Sequence, residues 1–244
     1  IHLIRVTNSF FKSYLISNGI KKEKIVQIPI AVDTKKFKYQ KNKNHYRKKF
    51  NLPINKILIG SFHKDGVGWG YGEKPKMIKG PDIFIKTLIS LSRKIGKNKL
   101  HIVLTSPARG YLKKKLKQQK IPYTHYYPVE KKNIPLYFNC LDYYLITSRD
   151  EGGPRGMFEA MACGVPVIST LVGHAHDHIK NNYNGYKSPI GDYDALSKNI
   201  IKLIKNPKLK KKIIKNSIKT AKKNNINNHQ HYWNKFKKKL INSI

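Results

Sequence analysis

Short apolar runs recur along this chain, each closed by glycine, proline, serine or threonine. Between them lie longer stretches whose apolar residues return every three or four positions. "KILIGSF" from Lys56 to Phe62, "LHIVLT", "LDYYLIT" and "VPVIST" read as strands. Between the first two, Phe84, Leu88, Leu91 and Ile95 fall on one face of a helix, with Pro81 in its first turn and Gly96 just beyond its end. "RGYLKKKLKQQK", "KNIPLYFNC" and "PRGMFEAMAC" are further helices, and "IPYTHYYPV" is a strand with its exit. Strands alternating with helices cannot pair as hairpins. They predict an α/β fold, a Rossmann-like parallel sheet with helices on both faces, followed by a C-terminal helix.

The ends of the chain read differently. "IHLIRVTNSFFKSYLISNGIKKEKIVQIPIAVD" is strand, helix, turn, strand, with Ser9 placed to cap the helix and Asn18-Gly19 to end it. Because it opens at Ile1 in mid-pattern, residues 1–33 are expected to be the remnant of a preceding domain. Residues 34–55 are polar, lysine-rich and weakly periodic, and read as a linker. Residues 56–228 hold the alternating pattern. Leu196, Ile200 and Leu203 share a helix face and Pro207 breaks that helix. Residues 229–244 form a last basic helix marked by Tyr232, Phe236 and Leu240.

Composition narrows the class. Hydrophobic residues make up 39% of the chain, enough for a core, and no apolar run is long enough to cross a bilayer. No signal-peptide pattern is present, and two cysteines, Cys140 and Cys163, make no disulfide framework, so a reducing cytoplasm is expected. The formal charge of +37 is the most extreme property. Its lysines are spread through every part of the chain instead of forming one stripe. That favours solvated faces and compositional drift, then peripheral contact with an anionic membrane, over a nucleic-acid role.

"SRDEGGPRGMFEAMACGVPVIST", Ser148 to Thr170, carries the chemistry. In a parallel sheet ligands sit beyond the carboxyl ends of strands, and "SRDEGGP" follows the strand "LDYYLIT". Pro154 suits the first position of the next helix, and Gly152 and Gly153 bring bare amides to whatever binds there. A helix N-terminus attracts phosphate. Glu151 precedes the helix and points into the cleft; Glu159 lies roughly 7–8 Å further along its axis. Two carboxylates would repel phosphate, so neutral hydroxyls are their natural partners. A sugar at one end, a ribose at the other and a pyrophosphate between satisfy all the parts.

The pattern E-x7-E followed by "AMACGVPVIST" resembles the nucleotide-sugar half of retaining glycosyltransferases of family 4, with the two-domain GT-B fold. "VTNSFFKSYLISNGIKKEKIVQIPIAVDTKKF" and "VGHAHDHIKNNYNGY" are similar to its flanking segments. The resemblance implies that Glu151 contacts hydroxyls of the transferred sugar, that the Gly152 and Gly153 amides face sugar and diphosphate, and that Glu159 holds the ribose. It places Gly60, Ser61 and Pro154 at the donor and Val129 at the base. The family commonly has an arginine after the first strand and a lysine in a Lys-Gly pair. Here the pair is Lys79-Gly80, but the arginine position is Ser61, so Lys64 is expected to supply the missing cation beside Lys79. Trp69, Gly70 and Tyr71 either form a lid over the donor or pack the long loop. "HAHDH" alternates His174, His176 and His178, but a turn entering a helix splays such residues, and the resemblance implies no metal or other cofactor. His174 could lie near the donor phosphates.

The resemblance implies a hexosyltransferase-type enzyme that takes a nucleoside-diphosphate sugar as substrate and a glycan or lipid-linked acceptor, with a missing N-terminal GT-B domain as partner. A sugar-nucleotide epimerase and a non-catalytic sugar-nucleotide-binding domain are the alternatives, and a basic nucleic-acid binder is less favoured.

Overall fold

The computed structural model describes residues 3–241. In chain order the elements are β1 (Ile4–Val6), α1 (Ser9–Ser17), β2 (Ile25–Gln27), α2 (Lys43–Lys49), β3 (Ile57–Ser61), α3 (Pro81–Ile95), β4 (Leu100–Thr105), α4 (Gly110–Gln118) and β5 (Tyr123–Tyr126). Then come α5 (Ile134–Cys140), β6 (Tyr143–Ile146), α6 (Arg155–Ala162), β7 (Val167–Thr170), α7 (Ala175–His178), β8 (Tyr186–Ser188), α8 (Tyr193–Lys205), α9 (Pro207–Lys223) and α10 (Gln230–Ile241). Strands β3 to β8 form one parallel sheet in the order β5-β4-β3-β6-β7-β8. Strands β1 and β2 pair separately, also in parallel. The parallel α/β sheet expected from the alternation is therefore present.

Two apolar layers sandwich the sheet. One joins Phe138 of α5 and Met157, Phe158 and Met161 of α6 to Val103, Tyr144 and Ile146. The other joins Phe84, Leu88 and Leu91 of α3, Leu112 of α4 and Leu196, Ile200 and Leu203 of α8 to Ile59, Ile102 and Leu145. β4 and β6 are buried along their whole length, as near-continuous apolar strands of a doubly covered sheet must be. Each fully buried Leu or Phe contributes about 1.5–3 kcal/mol, so the helical periodicity that carries them directs the fold.

Three local expectations shift. Asn8 caps α1, its side chain accepting the Phe11 amide at 2.9 Å, while Ser9 binds Asp177 instead. Pro154 is extended, with φ −68° and ψ 111°, so α6 starts one residue later at Arg155. The stretch expected as a linker contains α2, held because Arg47 is buried and donates to the carbonyls of Cys140, Ile54 and Lys56. Its polar sequence hid a helix held by a charge network as well as by Tyr46 and Phe50 packed against the apolar core. Ile1 of the opening segment and the end of the closing one, residues 242–244, lie outside the described residues.

Candidate active site

From β3 the sheet grows first through β4 and β5 on one side, then through β6, β7 and β8 on the other. The loops leaving β3 and β6 therefore part company at their carboxyl ends, where such sheets hold ligands. A cavity of about 440 Å³ opens there. Phe62 and His63 reach it after β3, Thr105 and Ser106 from β4, Tyr127 and Val129 after β5, and Glu151, Gly153, Pro154, Arg155, Gly156 and Glu159 after β6.

Gly80 sets the position of Lys79. It adopts φ +61°, and a Cβ there would collide with the Thr147 carbonyl at the end of β6. Thr147 Oγ1 donates to the Gly80 carbonyl at 2.9 Å, locking the two loops together. Lys79 Nζ then donates to Glu151 Oε1 at 2.6 Å, and Ser148 Oγ donates to the same oxygen at 2.9 Å. The loop carrying Glu151 is tied from the other side, because the Thr7 hydroxyl and the Asn8 amide, the latter at 2.8 Å, both donate to the Gly152 carbonyl.

Glu159 differs from Glu151. No hydrogen bond or ion pair reaches its carboxylate among the described residues, and burial pushes it up to about 7 despite the nearby charges of Arg155 and Lys36. Tyr144 forms the wall between them. Burial raises its phenol above the usual range, its oxygen accepts the Phe62 amide at 3.4 Å, and a side chain at Gly156 would strike it. Burial, with the Arg109 and Lys79 charges, lowers His63 and keeps it a neutral imidazole in the cavity wall.

Glu151, Glu159, Lys79, Gly153, Pro154 and Val129 are thus brought to one cavity, although they span three loops and a helix. Other expected contacts lie elsewhere. Gly60 is inside β3, where a Cβ would overlap the Leu141 side chain, so its smallness serves packing. Ser61 is buried beneath the cavity, its hydroxyl accepting from Arg109 Nη2 at 3.0 Å. Lys64 lies over the Trp69 ring, 3.9 Å from its centroid, and is not among the residues lining the cavity. Gly152 is exposed behind its tethered carbonyl. His174 is fully buried behind Gly153, its Nε2 accepting the Ile30 amide at 3.2 Å. His176 instead stacks on Phe10, so the alternating histidines part, and no cluster placed to hold a metal occurs among the described residues.

Arg109 was missed by sequence reading. It is fully buried and spends its guanidinium on Asp65 at 3.2 Å, on Ser61 and on the carbonyls of Thr105 and His63. Asp65 is pushed up to about 6 by burial, against the pull of Arg109. The pair clamps the long loop after β3. The loop is also closed by Val67 N to Lys74 O at 2.9 Å and Lys76 N to Asp65 O at 2.7 Å. Tyr71 packs it onto α4, its carbonyl accepting the Gly110 amide at 2.7 Å, while Trp69 stays 79% exposed. The sequence held one signal, a lone arginine after a strand end in "SPARG", lost among the lysines.

Known proteins share this fold. Residues 72–220 match the glycosyl transferases group 1 family. The chain is 27% identical over 155 residues to a lipopolysaccharide core biosynthesis mannosyltransferase, LpsB, of Rhizobium meliloti, covering 59% of this chain and 39% of that one. Its fold superposes on sucrose-phosphate synthase from Thermosynechococcus elongatus with a TM-score of 0.81 at 19% identity, over 99% of this chain and 59% of the other. It superposes on Anabaena HepE in complex with UDP and glucose with a TM-score of 0.79 at 18% identity, over 97% of this chain and 63% of the other. The chain thus spans less than two thirds of each relative's length, and its sheet is that of a GT-B C-terminal domain. With more than half of its residues inside the matched region, the chain belongs to the glycosyl transferases group 1 family.

Proposed function

We propose that this chain is the donor-binding half of a retaining glycosyltransferase of family 4, moving a hexose from a nucleoside-diphosphate sugar to an acceptor hydroxyl. The observation that carries the reading is the pair of unlike carboxylates on one cavity. Glu151 is engaged by Lys79 and Ser148, and Glu159 is half-buried with no hydrogen bond or ion pair to its carboxylate among the described residues. A ribose supplies the hydroxyls that Glu159 lacks. The amides of Gly153 and the start of α6 face the diphosphate, and the base lies towards Tyr127 and Val129. The HepE likeness supports the same ligand class, since that protein was captured with UDP and glucose.

In the reaction the bond between the sugar's anomeric carbon and the diphosphate oxygen breaks, and a bond from that carbon to the acceptor oxygen forms on the same face. The diphosphate leaves with the electron pair, and the acceptor proton passes to a leaving-group oxygen. Lys79 and the α6 dipole stabilise the charge that develops on the diphosphate, with no metal required. Glu151 holds sugar hydroxyls once the diphosphate draws Lys79 away. The acceptor, a glycan or a lipid-linked sugar, is bound by the second GT-B domain, and the enzyme works in the cytoplasm, at the membrane surface when its acceptor is lipid-linked.

Titration calorimetry of the folded chain with UDP, GDP and ADP tests the donor site. Heat from at least one is expected, and no heat from any of the three removes the assignment.

A further inference from the structure

The cations around the cavity are unequal. Lys79 is committed to Glu151 at 2.6 Å. Arg109 is committed to Asp65, Arg149 to Asp82 at 2.6 Å, and Lys64 covers Trp69. His63 is neutral, as burial dictates. Arg155 also lines the cavity, is exposed, and has no ion pair or hydrogen bond from its side chain among the described residues. It is the first residue of α6, the helix whose free amides face the same space.

Charge balance gives this residue a task. Without Arg155 the cavity wall offers one cation, Lys79, and Glu151 already neutralises it. A pyrophosphate entering such a wall meets no unpaired positive charge. Arg155 supplies one, and its charge also acts on Glu159 four residues along the helix. Arginine also presents a planar fork of donors that matches two phosphate oxygens at once. Arg155 stands in the first turn of α6, whose free amides would hold the same anion.

We propose that Arg155 is a second cation, beside Lys79, that grips the donor diphosphate. This rests on the donor-site reading above. Ser61 cannot bear the charge, and the Arg109 beneath it is neutralised by Asp65, so Arg109 holds the loop and Arg155 holds the ligand.

The test is calorimetry of the chain with whichever of UDP, GDP and ADP binds tightest, alongside its monophosphate and its nucleoside. Arg155→Ala is expected to weaken the diphosphate about tenfold to a hundredfold, the monophosphate less and the nucleoside not at all. Arg155→Lys should restore a good part of the loss, and added salt should weaken the wild-type chain more than the alanine variant. Equal losses for diphosphate and nucleoside, or no loss, would overturn the assignment of Arg155 while leaving the donor site standing. A wild-type chain that binds none of the three removes both. Because Arg155 is exposed, the variant should fold, and an unchanged circular dichroism spectrum and melting curve verify that.

Discussion

Two acids flank β6, and their surroundings are opposite. Asp142 stands just before the strand, where Lys43 and Arg47 reach its oxygens at 2.9 and 2.7 Å and the Leu58 amide donates at 2.9 Å. Burial alone would raise it, but these partners outweigh burial and hold it down to about 2. Glu159 stands beyond the other end, on α6, and burial without partners pushes it up to about 7. The amino edge of the sheet is electrostatically complete; the carboxyl edge is not. A half-buried carboxylate without partners costs stability, and such costs persist where a ligand relieves them. The contrast separates the scaffold from the site without reference to any relative.

The largest expected effect is at the complete end. Asp142→Ala removes the acceptor that Arg47 and Lys43 share and leaves a buried guanidinium under-paired, at a cost of about 3–5 kcal/mol in urea unfolding. Because its folded-state value is depressed, the wild-type contribution is present near neutrality and fades as pH falls through about 2. A loss under about 1 kcal/mol would show that the network is ornamental.

At the open end the next effect concerns Lys79. Lys79→Ala should cost a nucleoside diphosphate about 1.5–3 kcal/mol in calorimetry and a monophosphate less. Equal costs would make it an ordinary solvated lysine.

Glu159→Gln should act in the opposite direction on folding. The folded-state value is raised above the ordinary 4.5, so the folded chain holds the proton more tightly than the unfolded chain. Stability therefore falls as pH rises from about 4.5 to about 7. Glutamine has no charge to bury and should stabilise the ligand-free chain by about 1–3 kcal/mol above that window and by little below it. A variant no more stable at high pH would mean that Glu159 is already satisfied, and the contrast with Asp142 would fail.

The contrast also explains what the sequence could reveal. The sheet was legible because its order depends on periodicity, and Phe84, Leu88 and Leu91 state theirs openly. Glu151, Glu159 and Lys79 were legible because local spacing places them on loops whose position the fold dictates. Arg109, Asp65 and α2 were not, since their meaning lies in partners distant along the chain. The place of Lys64 was not legible for the same reason: in a chain so rich in lysine, only the ring of Trp69 fixes where that charge goes. Arg155 sat in plain view inside the motif but reads as any helix residue until Lys79, Arg109, Arg149 and Lys64 are seen to be engaged.

The smallest effect concerns the basic α10, far from both acids. If its lysines meet an anionic leaflet, each near the surface contributes about 1 kcal/mol, lost as salt rises. Vesicle co-sedimentation should favour anionic over neutral lipid at low salt. Equal sedimentation would leave the +37 charge without a membrane role.

The central claim is that Glu159 awaits a ribose, and one double comparison addresses it directly. Calorimetry would measure the tightest-binding nucleoside diphosphate against its 2′,3′-dideoxy form, in the wild-type chain and in Glu159→Ala. The account predicts that removing the hydroxyls weakens binding to the wild-type chain by about tenfold or more, and that Glu159→Ala binds both ligands alike. A variant that still distinguishes them as the wild-type chain does would contradict it.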